Sequence, residues 1–123
     1  MGTVKKLMIV DDEETLTFSL YQTFILAKQD YEVITAASGE EAAEKLADDR
    51  FDLVITDISM PGMTGLELLA QIRRNHPGTA VIVMTAYGSE DKREEALRIG
   101  ANHYIEKPFE IKEIKKLVMD LLN

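Results

Sequence analysis

Residues 5–14 read KKLMIVDDEE, so that four apolar side chains run directly into four carboxylates. A short apolar run that contains Ile and Val is typical of a strand buried on both faces, as in a parallel sheet covered by helices. Clustered carboxylates instead need water, a cation or hydrogen-bond donors. The stretch therefore predicts a buried strand whose carboxyl end opens onto an acidic site.

The size and composition of the chain predict one globular domain. It has 123 residues, of which 46% are hydrophobic and 29% charged, and we expect a single domain over 1–123 with no output domain. The absence of cysteine excludes disulfides and thiolate metal sites and fits a cytoplasmic protein. No apolar run approaches the ~20 residues of a membrane span. The net charge of −8 disfavours direct nucleic-acid binding.

Two kinds of segment alternate along the rest of the chain. Runs rich in Val, Ile and Thr predict five strands, at 6–10, 32–36, 53–56, 80–85 and 102–105. The segments between them have helical spacing. They contain two expected capping boxes, from Ser38 to Glu41 and from Thr64 to Glu67, and a helix stop at Gly100. Five strands, each followed by a helix, predict a (βα)5 chain folded as a doubly wound parallel sheet.

Polar side chains follow four of these strands. Asp11 and Asp12 end the first strand, Asp57 the third, Thr85 the fourth and Lys107 the fifth. Ligands of doubly wound sheets bind outside the carboxyl ends of the strands, so we expect these groups to converge. Close carboxylates repel each other unless a cation intervenes, and oxygen ligands suit Mg²⁺. A carboxylate can accept a phosphoryl group, whose other oxygens the Lys and Thr side chains could bind.

These residues give the chain a resemblance to the receiver domains of response regulators in bacterial two-component signalling. The resemblance covers essentially the whole chain. It rests on Asp11-Asp12, Asp57 followed by Met60-Pro61-Gly62-Met63 and Gly65, Thr85-Ala86, Tyr104, and Lys107-Pro108-Phe109, in this order. It implies a flavodoxin-like sheet with strand order 2-1-3-4-5. Stand-alone phosphorelay receivers and the receivers of larger regulators are the most similar types.

The resemblance also implies roles for the site residues. Asp57 would accept a phosphoryl group from a phosphohistidine on a sensor histidine kinase or a histidine phosphotransfer protein. Asp12, Asp57 and the backbone carbonyl of Ser59 would bind Mg²⁺, with Asp11 acting mainly through water. Lys107 would contact the phosphoryl group. The chain would then be a phosphoacceptor that assists its own phosphorylation and dephosphorylation, and not an enzyme with a separate substrate.

A switch is the last implication of the resemblance. Thr85 would move toward the phosphoryl group, the ring of Tyr104 would turn inward behind it, and the Lys107-Pro108 bond would be cis. The surface around the fourth helix, the fifth strand and the fifth helix would change and signal to a downstream target that the sequence does not identify. We expect Glu13 and Glu14 only to open the first helix as solvated acids.

Two other functions compete with this interpretation. A metal-dependent phosphohydrolase of the haloacid dehalogenase-like type also forms an aspartyl phosphate, but it needs a second carboxylate two residues after the nucleophile, where this chain has Ser59. A flavodoxin-like FMN protein would need a glycine- and hydroxyl-rich phosphate loop after the first strand. The carboxylates at 11–14 would repel that phosphate.

The first predicted helix has apolar residues on two opposite sides. The side expected to face the core carries Leu16, Leu20, Phe24 and Ala27. The opposite side carries Phe18, Tyr21 and Ile25, which would be exposed or would cover a protein partner or a second copy of the chain.

The fourth predicted helix has few apolar residues with which to pack. Ala96, Leu97 and Ile99 are the expected anchors. Because few buried contacts imply low local stability, we expect phosphorylation to shift this helix.

Overall fold

Strands and helices alternate along the chain in the computed structural model, which describes residues 4–28 and 30–122. The strands are β1 (Lys5–Val10), β2 (Tyr31–Ala36), β3 (Leu53–Asp57), β4 (Ala80–Thr85) and β5 (His103–Glu106). The helices are α1 (Glu14–Ile25), α2 (Gly39–Asp48), α3 (Gly65–Asn75), α4 (Glu90–Ile99) and α5 (Ile111–Leu122). The predicted (βα)5 order is therefore confirmed.

All neighbouring strands pair in parallel, in the order β2-β1-β3-β4-β5. This order confirms the doubly wound sheet, and it brings β1 and β3 together although α1, β2 and α2 separate them along the chain. Val10 pairs in register with Thr56, and Asp57 pairs with Met84. The residues that follow β1 and β3 therefore lie side by side at one edge of the sheet.

Alternate residues of the central strands enter two hydrophobic clusters, one on each face of the sheet. Met8 and Val10 belong to the cluster that contains the buried side chains of α2 and α3. Leu7 and Ile9 belong to the cluster that contains those of α1 and α5. This two-sided burial explains the continuously apolar run at residues 7–10.

The helix ends follow the expected signals with one exception. Thr64 and Glu67 form a complete capping box, and Gly100 ends α4 with a φ of 129°. Ser38 accepts a hydrogen bond from the Glu41 N–H at 3.1 Å, as expected. The predicted capping box is incomplete, because the Glu41 carboxylate does not accept the Ser38 N–H. It accepts the Ala37 N–H instead and also pairs with Lys45 at 2.8 Å.

Other details of the helices and strands also differ from the predictions. The fifth strand spans His103–Glu106 instead of 102–105. Asn102 precedes it and binds Val81 twice, through an N–H that donates to the Val81 carbonyl and a side-chain oxygen that accepts the Val81 N–H. α1 ends at Ile25, so Ala27 lies beyond the helix.

The apolar faces of α1 and α4 also require correction. Tyr21 is partly buried against the core, whereas Phe18 and Ile25 are 59% and 45% exposed. Leu97 is 37% exposed and is not an anchor of α4. None of the helices within 4–28 and 30–122 has the length and apolar character that a membrane crossing requires.

Candidate functional site

Three carboxylates converge at the carboxyl ends of β1 and β3. Asp11 follows β1 and is tied to β2 by a hydrogen bond from its N–H to the Ala36 carbonyl at 3.1 Å. Asp57 is the last residue of β3, and both side chains are buried, whereas Asp12 is exposed. One carboxylate oxygen from each of Asp11, Asp12 and Asp57 lies within 4.8 Å of the others. The predicted acidic cluster therefore forms.

Lys107 reaches this cluster from the end of β5. Its Nζ lies 3.0 Å from Asp11 Oδ2, 3.2 Å from Asp57 Oδ2 and 3.8 Å from Glu13 Oε2. The Lys107 N–H donates to the Thr85 carbonyl at 2.7 Å, and the Lys107-Pro108 peptide bond is cis. The ammonium group thus links the two buried aspartates, while the cluster as a whole keeps an excess of negative charge.

Backbone donors satisfy the remaining oxygens of the two buried carboxylates. The Glu13 N–H donates to Asp11 Oδ1 at 2.9 Å, and the Ser59 N–H donates to Asp57 Oδ1 at 3.1 Å. Each buried aspartate therefore has one oxygen on a backbone N–H and the other on Lys107. This arrangement fixes the orientation of both side chains.

The protonation of the site reflects its burial and its charges. Burial raises the pKa of Asp11, and the Asp57 charge adds to this effect, while the Glu13 N–H and Lys107 oppose it. Burial alone would lower the pKa of Lys107, but the hydrogen bond and charge of Asp11 and the charge of Asp57 raise it overall. Lys107 therefore remains an ammonium group at neutral pH, held by two carboxylates.

Thr85 and Tyr104 lie on neighbouring strands beside this cluster. The Thr85 side chain is buried and its Oγ1 accepts the Tyr87 N–H at 3.1 Å, with no hydrogen bond to Asp57 or Lys107 in the described ranges. The Tyr104 hydroxyl is buried under Gly88, where an added Cβ would lie 2.6 Å from it. Burial raises the pKa of Tyr104, and the Ser89 backbone partly opposes this.

The donor set fits a hard divalent cation. Three carboxylates that offer oxygens within 4.8 Å of one another, one of them exposed to solvent, match the oxygen-rich and partly hydrated coordination that Mg²⁺ prefers. Burial is the main reason for the raised pKa of Asp11, and a cation there would offset the smaller contribution of repulsion by the Asp57 charge. Lys107, with its single charge, leaves part of that repulsion in place.

Glu13 is a neighbour of the site that the sequence did not assign to it. It was expected to be a solvated helix acid, but its N–H binds Asp11 and its carboxylate lies near Lys107. Its side chain is 60% exposed, so the expectation of solvation holds only in part. Its place directly after Asp11-Asp12 was the only sequence signal for this role.

Comparisons with known proteins agree with this fold and show the family of the chain. The family model described as the response regulator receiver domain matches residues 7–119. Sporulation initiation phosphotransferase F of Bacillus subtilis is 36% identical over 118 residues, which are 96% of this chain and 94% of that protein. Response regulator protein FleR of Pseudomonas aeruginosa is 42% identical over 113 residues, 92% of this chain but 24% of FleR. The chain thus spans about a quarter of FleR.

A solved structure extends the likeness to three dimensions. The response regulator TrrA of Thermotoga maritima, in complex with Mg²⁺-BeF, superposes with a TM-score of 0.84 at 36% identity and covers 96% of this chain and 99% of its own. The fold, the acidic cluster and these matches define a signalling domain of two-component systems. The chain belongs to the response regulator receiver domain family.

Proposed function

We propose that Asp57 accepts a phosphoryl group from a phosphohistidine partner in a reaction that depends on Mg²⁺. The observation that carries the proposal is the position of Asp57. It ends a buried strand within reach of two further carboxylates and one ammonium group. In the transfer, an Asp57 oxygen forms the new bond to phosphorus while the bond from phosphorus to the histidine nitrogen breaks, which yields an acyl phosphate.

Asp11, Asp12, Asp57 and the Ser59 carbonyl would hold the Mg²⁺ ion. When bound, the ion would neutralise part of the negative charge on the phosphoryl oxygens. Lys107 binds a phosphoryl oxygen as a fixed positive charge, a role supported by its distance of 3.2 Å from Asp57 Oδ2. The same groups would assist hydrolysis of the acyl phosphate. In this proposal the only group that reacts is the chain's own Asp57, and the chain has no separate substrate to turn over.

The phosphoryl group would act on Thr85 and Tyr104. Thr85 Oγ1 accepts the N–H of Tyr87, which belongs to the loop before α4, and its own O–H can still donate to a phosphoryl oxygen. A movement of the hydroxyl toward the phosphoryl group would therefore carry this loop with it. This change would shift the surface of α4, β5 and α5 and so alter its affinity for a downstream protein target. Direct contact with nucleic acid is no part of the proposal, because the chain carries a net charge of −8.

The partner in this proposal is a sensor histidine kinase or a histidine phosphotransfer protein, and the transfer takes place in the cytoplasm. Phe18 and Ile25 support a protein contact, because both are exposed apolar side chains on the helix that follows Asp11 and Asp12. Replacing both by Ser should slow transfer from a protein donor and leave phosphorylation by a small acyl phosphate unchanged. Loss of self-association instead would assign the face to a second copy of the chain.

Incubation with Mg²⁺ and a small acyl phosphate tests the proposed reaction. We expect one phosphoryl group per chain, labile to alkali and absent from Asp57→Ala, with no product when Mg²⁺ is chelated. Repeated turnover of an added phosphoester would instead identify a phosphohydrolase. Phosphorylation that persists in Asp57→Ala would refute the assignment of the acceptor.

A further inference from the structure

The loop at 58–64 links Asp57 to α3 and contains Ser59. Its two ends are held by backbone hydrogen bonds, from the Ile58 N–H to the Met84 carbonyl at 2.8 Å and from the Gly65 N–H to the Ile58 carbonyl at 3.0 Å. A side chain at position 65 would overlap the Asp57 carbonyl, so the glycine lets α3 begin directly against the phosphoacceptor residue. The conformation of the loop and the position of Asp57 are therefore coupled.

Near its C-terminal end, at Met63, the loop is also held from α2. The Met63 N–H donates to Oε2 of Glu40 at 3.1 Å, across 23 residues of sequence. Over 4–28 and 30–122, no other side chain outside 57–67 forms a hydrogen bond with this loop. Glu40 is exposed and lies in the first turn of α2, so the bond links this turn to the loop.

The backbone on both sides of this bond is shaped to allow it. Gly62 has a φ of 75°, which disfavours other residues, and a Cβ there would also overlap the Glu40 carboxylate. On the helix side, a Cβ at Gly39 would lie 2.8 Å from the Met63 carbonyl oxygen. The loop and the first turn of α2 thus pack closely, with Glu40 as their polar link.

We propose that Glu40 is a positioning residue for the Mg²⁺ site. Its hydrogen bond to Met63 holds the loop in the conformation in which Ser59 and Asp57 can bind the ion together. The inference rests on the proposed function, because it assigns Glu40 to the same metal site. A carboxylate in the first turn of a helix also stabilises that helix, but that effect alone would not change metal affinity.

Three variants separate the hydrogen bond from the charge. Glu40→Ala removes both, whereas Glu40→Gln removes the charge and keeps an oxygen that can accept the Met63 N–H. Glu44→Ala is the matched control, because Glu44 is an exposed acid one turn further along α2 with no hydrogen bond or ion pair to any described residue. All three raise the net charge by one, and Glu40→Gln removes the charge at the same position as Glu40→Ala, so this pair separates the hydrogen bond from the charge.

Calorimetric titration with Mg²⁺, combined with hydrogen exchange at the Met63 amide, tests the proposal. We expect Glu40→Ala to raise the Kd for Mg²⁺ by about 3- to 10-fold and to speed exchange at Met63. Glu40→Gln and Glu44→Ala should stay within about twofold of the wild type, which is the scatter expected of a distant surface change. The thermal unfolding of each variant shows whether a global loss of stability explains the change.

The outcomes distinguish this inference from the proposed function. A wild-type chain that binds no Mg²⁺ and accepts no phosphoryl group would refute the proposed function itself. A wild-type chain that does both, with Glu40→Ala equal to it in Mg²⁺ affinity, would overturn the role of Glu40 alone. Equal weakening in Glu40→Gln and Glu40→Ala, or weaker Mg²⁺ binding with unchanged exchange at Met63, would overturn it as well.

Discussion

Helices α3 and α4 follow one another on the same face of the sheet, yet they are held very differently. α3 buries four residues, Gly65, Leu68, Leu69 and Ile72, and its N-terminus is closed by a complete capping box. α4 buries only Ala96, and its cap is a single hydrogen bond from the Lys92 N–H to the Ser89 side chain, without the second bond of a capping box. A fully buried leucine side chain is worth about 1.5–3 kcal/mol. The helix after the proposed phosphoacceptor Asp57 is therefore held by more buried side chains than the helix after the proposed switch residue Thr85, which we expect to be displaced at lower cost.

The two ends of α4 show a similar contrast. At the C-terminal end, the Arg73 guanidinium donates to the Gly100 carbonyl at 2.9 Å and to the Thr79 carbonyl at 2.6 Å. At the N-terminal end, the described side-chain contacts are local ones: the Ser89 cap, a hydrogen bond from Lys92 Nζ to the Tyr87 carbonyl at 3.2 Å and an exposed pair of Glu90 and Arg93 at 4.0 Å. Motion of α4 should thus be largest where it adjoins the loop that follows Thr85.

The largest expected effect compares one leucine from each helix. Leu69→Ala in α3 should lower the free energy of unfolding by about 2–5 kcal/mol, because it opens a cavity in a fully buried cluster. Leu97→Ala in α4 should cost only about 1 kcal/mol, because this side chain is 37% exposed and lies outside the buried core. Urea denaturation measures both. Equal losses would show that α4 is anchored as firmly as α3.

The next effect concerns the hydrogen bonds that Arg73 makes at the C-terminal end of α4, which we call the Arg73 clasp. Arg73→Ala removes the hydrogen bonds to Gly100, Thr79 and Asn102 and should cost about 1–3 kcal/mol. Arg73→Lys should recover only part of this, because an ammonium group lacks the planar fork of a guanidinium. The exposed neighbour Arg74, which has no hydrogen bond or ion pair within the described residues, provides the control. If Arg74→Ala destabilises the chain as much, the clasp has no special role.

The smallest expected effect concerns Glu41 in the first turn of α2, the helix that packs beside α3. The hydrogen bond from Lys45 and then the Ala37 N–H lower the pKa of Glu41. A carboxyl with a lowered folded-state pKa stabilises the fold above its ordinary value of 4.5, and this contribution is lost as the pH falls through the folded-state pKa. Glu41→Gln should therefore cost about 0.2–1 kcal/mol at pH 7, as for other exposed ion pairs. A cost that is unchanged well below pH 4 would contradict this assignment.

The sequence predicted the strands and the acidic edge because apolar runs and the polar residues that end them occur together. The runs at 7–10, 53–56 and 81–84 are almost wholly apolar and end at the sheet edge, and parallel strands align their carboxyl ends, so Asp11, Asp57 and Lys107 were expected at one edge. Which strands are neighbours there came from the resemblance and not from these patterns. Tyr21 and Leu97 were misjudged because helical spacing gives the side of a residue and not the depth of the neighbouring surface. Ala27 was misjudged because no strong stop signal marks the end of α1 at Ile25.

The roles of Glu40 and Arg73 could not be read from the sequence. Each acts through a partner more than twenty residues away, Met63 for Glu40 and Gly100 for Arg73. Local spacing carries no information about such contacts, because they depend on how α2, α3 and the loops meet after the sheet has formed. The glycines at 62 and 100 are the sequence features associated with these contacts. Both have a positive φ, and a Cβ would overlap Glu40 at Gly62 and Arg73 at Gly100.

Hydrogen exchange of the phosphorylated chain tests the central claim most directly. With Mg²⁺ and a small acyl phosphate, we predict that phosphorylation of Asp57 changes amide exchange in residues 86–95, at the N-terminal end of α4. Exchange in α3 should stay the same, and Asp57→Ala treated in the same way should show neither change. Equal changes in α3 and α4, or an unchanged α4 in a fully phosphorylated chain, would contradict the account.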